Sequence, residues 1–118
     1  MKKDLRIGLI IIGVVIVAGL LAVVKNQQAS APQSILFYSN YCPHCKIVEE
    51  YINNNNIKNK ITFQELEVAD NEANSRILFN KAKICKLDTK TLGVPLFFDG
   101  KTCLMGDENI IKYFDTIK

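Results

Sequence analysis

Eighteen consecutive residues, Ile7 to Val24, carry no charged or strongly polar side chain. This run removes part of the chain from any water-facing fold. A helix of that length measures about 27 Å, close to the roughly 30 Å hydrocarbon core of a bilayer. A helix that is apolar all round needs full cover, and a small domain can hardly supply it. The run therefore reads as an uncleaved transmembrane anchor over residues 1–24, followed by a polar linker, residues 25–33. What remains, residues 34–118, suffices for one domain. A cleaved signal peptide is the alternative. Its apolar region is shorter, about 7–15 residues. Ala29-Ser30-Ala31 has the small-x-small pattern of a cleavage site, but Pro32 follows directly.

Charge divides along the same line. The formal net charge is +3. From Pro32 onward, 11 basic residues balance 11 acidic ones, so the excess belongs to Lys2, Lys3, Arg6 and Lys25 against Asp4. A neutral domain offers no basic face, which argues against a nucleic-acid partner. Three positive charges precede the apolar run and one follows it. The positive-inside bias then keeps the N-terminus in the cytoplasm and sends the domain out of the cytoplasm. The expected location is a single-pass protein of the cell membrane.

The domain reads as an α/β chain in the order β-α-β-α-β-β-α. Ser34 to Ser39 is a continuous apolar, β-favouring run, as in a strand buried on both faces. Pro43 stands where helices accept proline, at the first position. Ile47, Val48, Tyr51 and Ile52 continue at helical spacing as far as the Asn53–Asn56 run. Ile61 to Val68 reads as a strand. Asp70 is a candidate cap for a helix with Ala73, Ile77, Leu78, Ala82 and Ile84 on its apolar face. Asp99-Gly100 predicts a two-residue hairpin between Leu96-Phe97-Phe98 and Lys101 to Met105. Asp107 then caps a last helix bearing Ile110, Ile111, Phe114 and Ile117. Phe37, Phe63, Phe97, Phe98 and Phe114 fall on core positions.

Cys42-Pro43-His44-Cys45 carries the chemistry. The motif opens a helix after a strand, where unsatisfied backbone N–H groups and the positive end of the helix dipole favour a thiolate at Cys42. The thiolate attacks disulfides, and such surroundings lower a cysteine pKa from about 8.5 to between roughly 3.5 and 7.5. His44 interacts favourably with that thiolate. Cys45 lies one turn on, placed to resolve a mixed disulfide. A closed zinc site needs four ligands, and beyond this pair only His44, Cys85 and Cys103 are available. A c-type haem motif needs His after the second cysteine, and that residue is Lys46. The reading carries no metal and no cofactor. Cys85 and Cys103 are either two buried thiols, an auxiliary redox relay or a structural disulfide. As a disulfide they close a loop worth about 3 kcal/mol in the chain-entropy model.

The strand, Tyr41-Cys42-Pro43, helix, and later Gly93-Val94-Pro95, hairpin and final helix together resemble the glutaredoxin branch of the thioredoxin superfamily. The resemblance covers residues 34–117. It implies the thioredoxin fold, with a central four-stranded mixed sheet flanked by helices. It also implies a cis-proline at Val94-Pro95 facing the cysteines, and a Val94 backbone that pairs with substrate. Tyr41, Pro43, Val94 and Pro95 are the expected substrate face. Pro43-His44 is similar to the dipeptide of bacterial periplasmic disulfide oxidases, which implies an oxidising poise. The expected function is thiol–disulfide exchange with protein thiols outside the cytoplasm, recycled by a membrane or soluble redox partner. A membrane-anchored binding or assembly module with structural or zinc-binding cysteines, and a cytoplasm-facing glutaredoxin-like reductase, are the alternatives.

Overall fold

A computed structural model describes the backbone of Lys2–Val24 and of residues 33–117. The chain divides into two units, residues 1–31 and residues 32–118. The expected linker falls outside the described residues except for Gln33, and so does the Ala29-Ser30-Ala31 stretch.

The first unit contains one helix, α1 (Lys2–Val24). Leu5, Leu9 and Ile12 on one side of it and Ile7 on the other are all exposed. The described side chains of α1 end at Ile16. Among the described residues no helix is long and apolar enough to cross a membrane. The expected transmembrane anchor therefore gains no support from the described residues.

The second unit contains β1 (Ile35–Tyr38), α2 (Pro43–Asn54), α3 (Ile57–Lys60), β2 (Gln64–Glu67), α4 (Glu72–Ile84), β3 (Leu96–Phe98), β4 (Cys103–Met105) and α5 (Asp107–Asp115). The strands form one sheet in the order β2-β1-β3-β4. The β1–β2 pair is parallel, with Phe37 opposite Leu66. The β1–β3 and β3–β4 pairs are antiparallel. This is the expected four-stranded mixed sheet.

Strand side chains alternate between faces, and β1 uses both. Leu36 packs with Phe97, Val48 and Ile52 of α2, Ile57 of α3, and Ile110 and Phe114 of α5. Ile35 and Phe37 pack on the other face with Leu78 of α4, Leu96 and Phe98. Burial on both faces explains the unbroken apolar run of β1. On the α2–α5 side, Phe97 meets Phe114 edge-on at 5.2 Å and Phe63 at 5.7 Å. Such pairs add to simple area burial.

Several boundaries differ from the sequence expectation. Asn56 adopts a left-handed conformation (φ 52°), which lets the chain turn and form α3. The gain is burial of Ile57. The cap of α4 is Asn71, whose side chain accepts the Asn74 N–H; Asp70 has another partner. On α4 only Leu78 and Ala82 are buried, while Ile77 and Ile84 are exposed. The β3–β4 turn spans four residues, because Phe98 pairs with Cys103. The Asp99 carboxylate accepts the N–H groups of Lys101 and Thr102 at 2.8 and 2.7 Å, so those residues cannot join the strand. Gly100 takes φ +104°, which favours glycine. The cap position of α5 is Gly106, not Asp107.

Candidate active site

The turn after β1 positions the first cysteine. Ser39 is buried; its Oγ accepts the Tyr41 N–H at 3.1 Å and its carbonyl accepts the Cys42 N–H at 3.2 Å. Cys42 is then the cap residue of α2, with Pro43 at the helix start. Proline suits that place because its missing N–H would find no helical partner there.

The Cys42 sulfur takes the role that a capping oxygen usually fills. Its Sγ accepts the Cys45 N–H at 3.3 Å. The same sulfur donates to the Val94 carbonyl at 3.5 Å, 52 residues away in sequence. Val94-Pro95 is a cis peptide, as the resemblance implied, and Pro95 is fully buried. The Gly106 N–H donates to the Pro95 carbonyl at 2.9 Å, so the start of α5 is tied to this loop. The fold thus brings the Val94 loop to the Cys42 sulfur and ties the start of α5 to that loop.

The two thiols differ in environment. Both are free; Cys42 is half-buried and Cys45 is buried. Burial pushes the Cys45 thiol up to about 12, with the Cys42 hydrogen bond adding to the effect. At neutral pH it stays a thiol. Brief treatment of the reduced protein with iodoacetamide at pH 7 is expected to alkylate Cys42 alone. Peptide mass spectrometry reads this directly, and comparable modification of Cys45 would contradict it.

His44 and Tyr41 flank the pair. His44 is about two-thirds exposed, and its Nδ1 lies 3.1 Å from Asp107 Oδ2. That hydrogen bond holds the Asp107 carboxyl below the usual carboxylate range. Tyr41 is 72% exposed and its hydroxyl donates to Asp70 Oδ2 at 2.8 Å. This bond, with the Asp70 charge, raises the phenol pKa. Pro43 is exposed on the same turn. The expected residues Tyr41, Cys42, Pro43, His44, Cys45, Val94 and Pro95 therefore belong to one turn and the loop it contacts. Sequence reasoning missed the Asp70 and Asp107 contacts, since it read both acids as helix caps. A cavity of about 280 Å³ on the β2 side, lined by Tyr38, Ser39, Cys45, Lys46, Glu49 and Lys58 among others, was also absent from the sequence reading.

Cys85 and Cys103 are bonded to each other, with their Cα atoms 5.9 Å apart. This joins the end of α4 to β4 and leaves neither cysteine free to complete a zinc site. Among the described residues no group of three or more His, Cys, Asp or Glu could hold a metal ion.

No protein-family model matches the chain, and no curated protein matches it significantly. Solved structures do. A wheat glutaredoxin shares 24% identity over 81% of each chain, with a TM-score of 0.51. Glutaredoxin 1 of Francisella tularensis, crystallised with cacodylate, shares 20% identity over 70% of this chain and 92% of its own, with a TM-score of 0.50. At these identities the likeness concerns the fold, and the chemistry has to be argued from the residues. The domain has the thioredoxin fold that glutaredoxins share.

Proposed function

We propose that this protein is a thiol–disulfide oxidoreductase whose Cys42–Cys45 pair exchanges with protein thiols and disulfides. One observation carries the reading: Cys42 Sγ is held between the Cys45 N–H and the Val94 carbonyl, with the second thiol buried one turn behind it. In the oxidising direction, a substrate thiolate attacks Cys42 of the Cys42–Cys45 disulfide. The bond between the two cysteines breaks, and Cys45 leaves with the electron pair and takes up a proton. A second substrate thiol loses its proton and attacks the substrate sulfur of the mixed disulfide, which releases Cys42 as a thiolate. The substrate has lost two electrons and gained a disulfide, and a redox partner must reoxidise the pair. The reverse sequence is reduction.

The oxidising direction is inferred from the place of Cys42 at the cap of α2, because N–H groups and the positive end of a helix dipole favour an anion, and whatever stabilises the reduced form raises the potential. His44 stands on the same turn, and Tyr41, Pro43 and Val94 form the substrate face, with Pro95 buried behind it. Location outside the cytoplasm is favoured by the Cys85–Cys103 disulfide, which suits an oxidising compartment. Lys2, Lys3 and Arg6, ahead of the apolar run, agree with that orientation. The apolar sequence Ile7–Val24 within α1 favours a single membrane anchor.

Two measurements test these parts. The full chain is expected to oxidise a reduced peptide dithiol, or reduce insulin, with catalytic turnover. A pair that never turns over would favour the non-catalytic module instead. In intact cells, a membrane-impermeant thiol reagent added after reduction is expected to label Cys42. Labelling only after lysis would sink the exported orientation and favour the cytoplasm-facing reductase.

A further inference from the structure

Asp107 occupies the first position of α5 without capping it. Its carboxylate reaches instead across 63 residues of sequence to His44 Nδ1. The placement is fixed from behind, because the Gly106 N–H is bonded to the Pro95 carbonyl in the loop that also receives Cys42 Sγ. A carboxylate only accepts hydrogen bonds, so Nδ1 carries the proton and donates. In the neutral ring Nε2 is then the basic nitrogen. His44 itself is mostly exposed. Without this bond little packing would select one rotamer over another.

We propose that Asp107 is a positioning residue for the redox centre: it holds His44 by Nδ1 and fixes both the orientation and the tautomer of the ring beside Cys42. The proposal rests on the Cys42–Cys45 reading and deepens it. The same bond holds the Asp107 carboxyl below the usual carboxylate range. Asp107 also contributes to the raised pKa of the Cys45 thiol, so its charge reaches the pair as well. That gives two routes of influence with opposite signs. Acting through His44, Asp107 holds the ring in place on the turn that carries Cys42, which favours attack by that sulfur. Acting directly, its negative charge disfavours a second negative charge on the pair.

A double-mutant cycle separates the routes in the full-length protein, with the rate of Cys42 alkylation and the equilibrium with oxidised glutathione as readouts. Asp107→Asn is expected to slow alkylation about threefold to fivefold, the scale of an exposed ion pair. In the His44→Ala background the same change is expected to leave the rate within about twofold, or to raise it slightly, because the coupled partner is gone. Asp107→Glu keeps the charge and is expected to stay within about twofold of wild type. The equilibrium is expected to move with the rate, towards the disulfide form when alkylation slows. Faster or unchanged alkylation on Asp107→Asn alone would overturn the proposal. So would an equal change in both backgrounds, or a loss in Asp107→Glu as large as in Asp107→Asn. Failure of the wild-type protein to exchange with oxidised glutathione would overturn the underlying reading, and the proposal with it.

Discussion

Cys45→Ser is expected to turn the domain into a trap. With Cys42 intact, attack on a substrate disulfide still forms the first bond. The second thiol, which would release it, is missing. A mixed disulfide through Cys42 accumulates, visible on non-reducing gels and lost on adding dithiothreitol. Cys42→Ser is expected to do the opposite: no mixed disulfide forms, and exchange falls about 1000-fold or more, a barrier increase of about 4 kcal/mol. The asymmetry follows from position. Cys42 is half-buried at the cap of α2, whereas Cys45 is buried and its thiol is pushed up to about 12. Equal trapping through either cysteine would contradict the assignment of roles.

The second large effect concerns stability. Cys85 and Cys103 stand 18 residues apart in sequence, and their bond joins the end of α4 to β4. Closing such a loop is worth about 3 kcal/mol in the chain-entropy model. The neighbouring core on this face of the sheet holds five buried residues: Ile35, Phe37, Leu78, Leu96 and Phe98. In a domain of this size, a loss of 3 kcal/mol lowers the melting temperature by roughly 12–24 °C. The double variant Cys85→Ser with Cys103→Ser is expected to show that drop in a thermal melt followed by circular dichroism. A melting temperature within about 2 °C of wild type would show that the bridge contributes little. The Cys42–Cys45 chemistry should persist in this variant below its melting temperature, because neither cysteine belongs to that site.

Local features were legible from spacing alone, while the long-range approach of Val94 to Cys42 was legible only through the resemblance. Pro43 marked the start of α2, and the continuous apolar run marked β1 as buried on both faces. Both signals depend on adjacent residues. The cysteine motif was legible for the same reason, since spacing and helix start place two sulfurs on one turn. The β3–β4 turn was misread because Asp99-Gly100 suits a two-residue hairpin. The Asp99 carboxylate instead takes the next two N–H groups and lengthens the turn. One turn of helix, α3, escaped notice because the Asn53–Asn56 run signals only a stop. Burial of Ile57 is what makes the extra turn worthwhile. Asp70 and Asp107 carried a local cap signal that tertiary contacts override. Their partners, Tyr41 and His44, lie 29 and 63 residues away. Nothing in spacing or periodicity encodes such contacts until the sheet order is known.

The apolar run Ile7–Val24 is a different matter. Its length and composition carried the expectation of a membrane anchor, and no helix among the described residues is long and apolar enough to cross a membrane. The intact-cell labelling experiment above decides where the domain faces.

The most direct test of the central claim is a redox titration of the full chain in glutathione buffers, with thiols alkylated at each point and masses read for the Cys42–Cys45 peptide. The account predicts one two-electron transition, in which the peptide loses two hydrogens and both cysteines become unreactive together. Its midpoint is expected between about −230 and −120 mV, the interval from glutaredoxins to strong oxidases. A pair that stays reduced across the whole range, or a Cys42 that takes up glutathione without Cys45 displacing it, would contradict it.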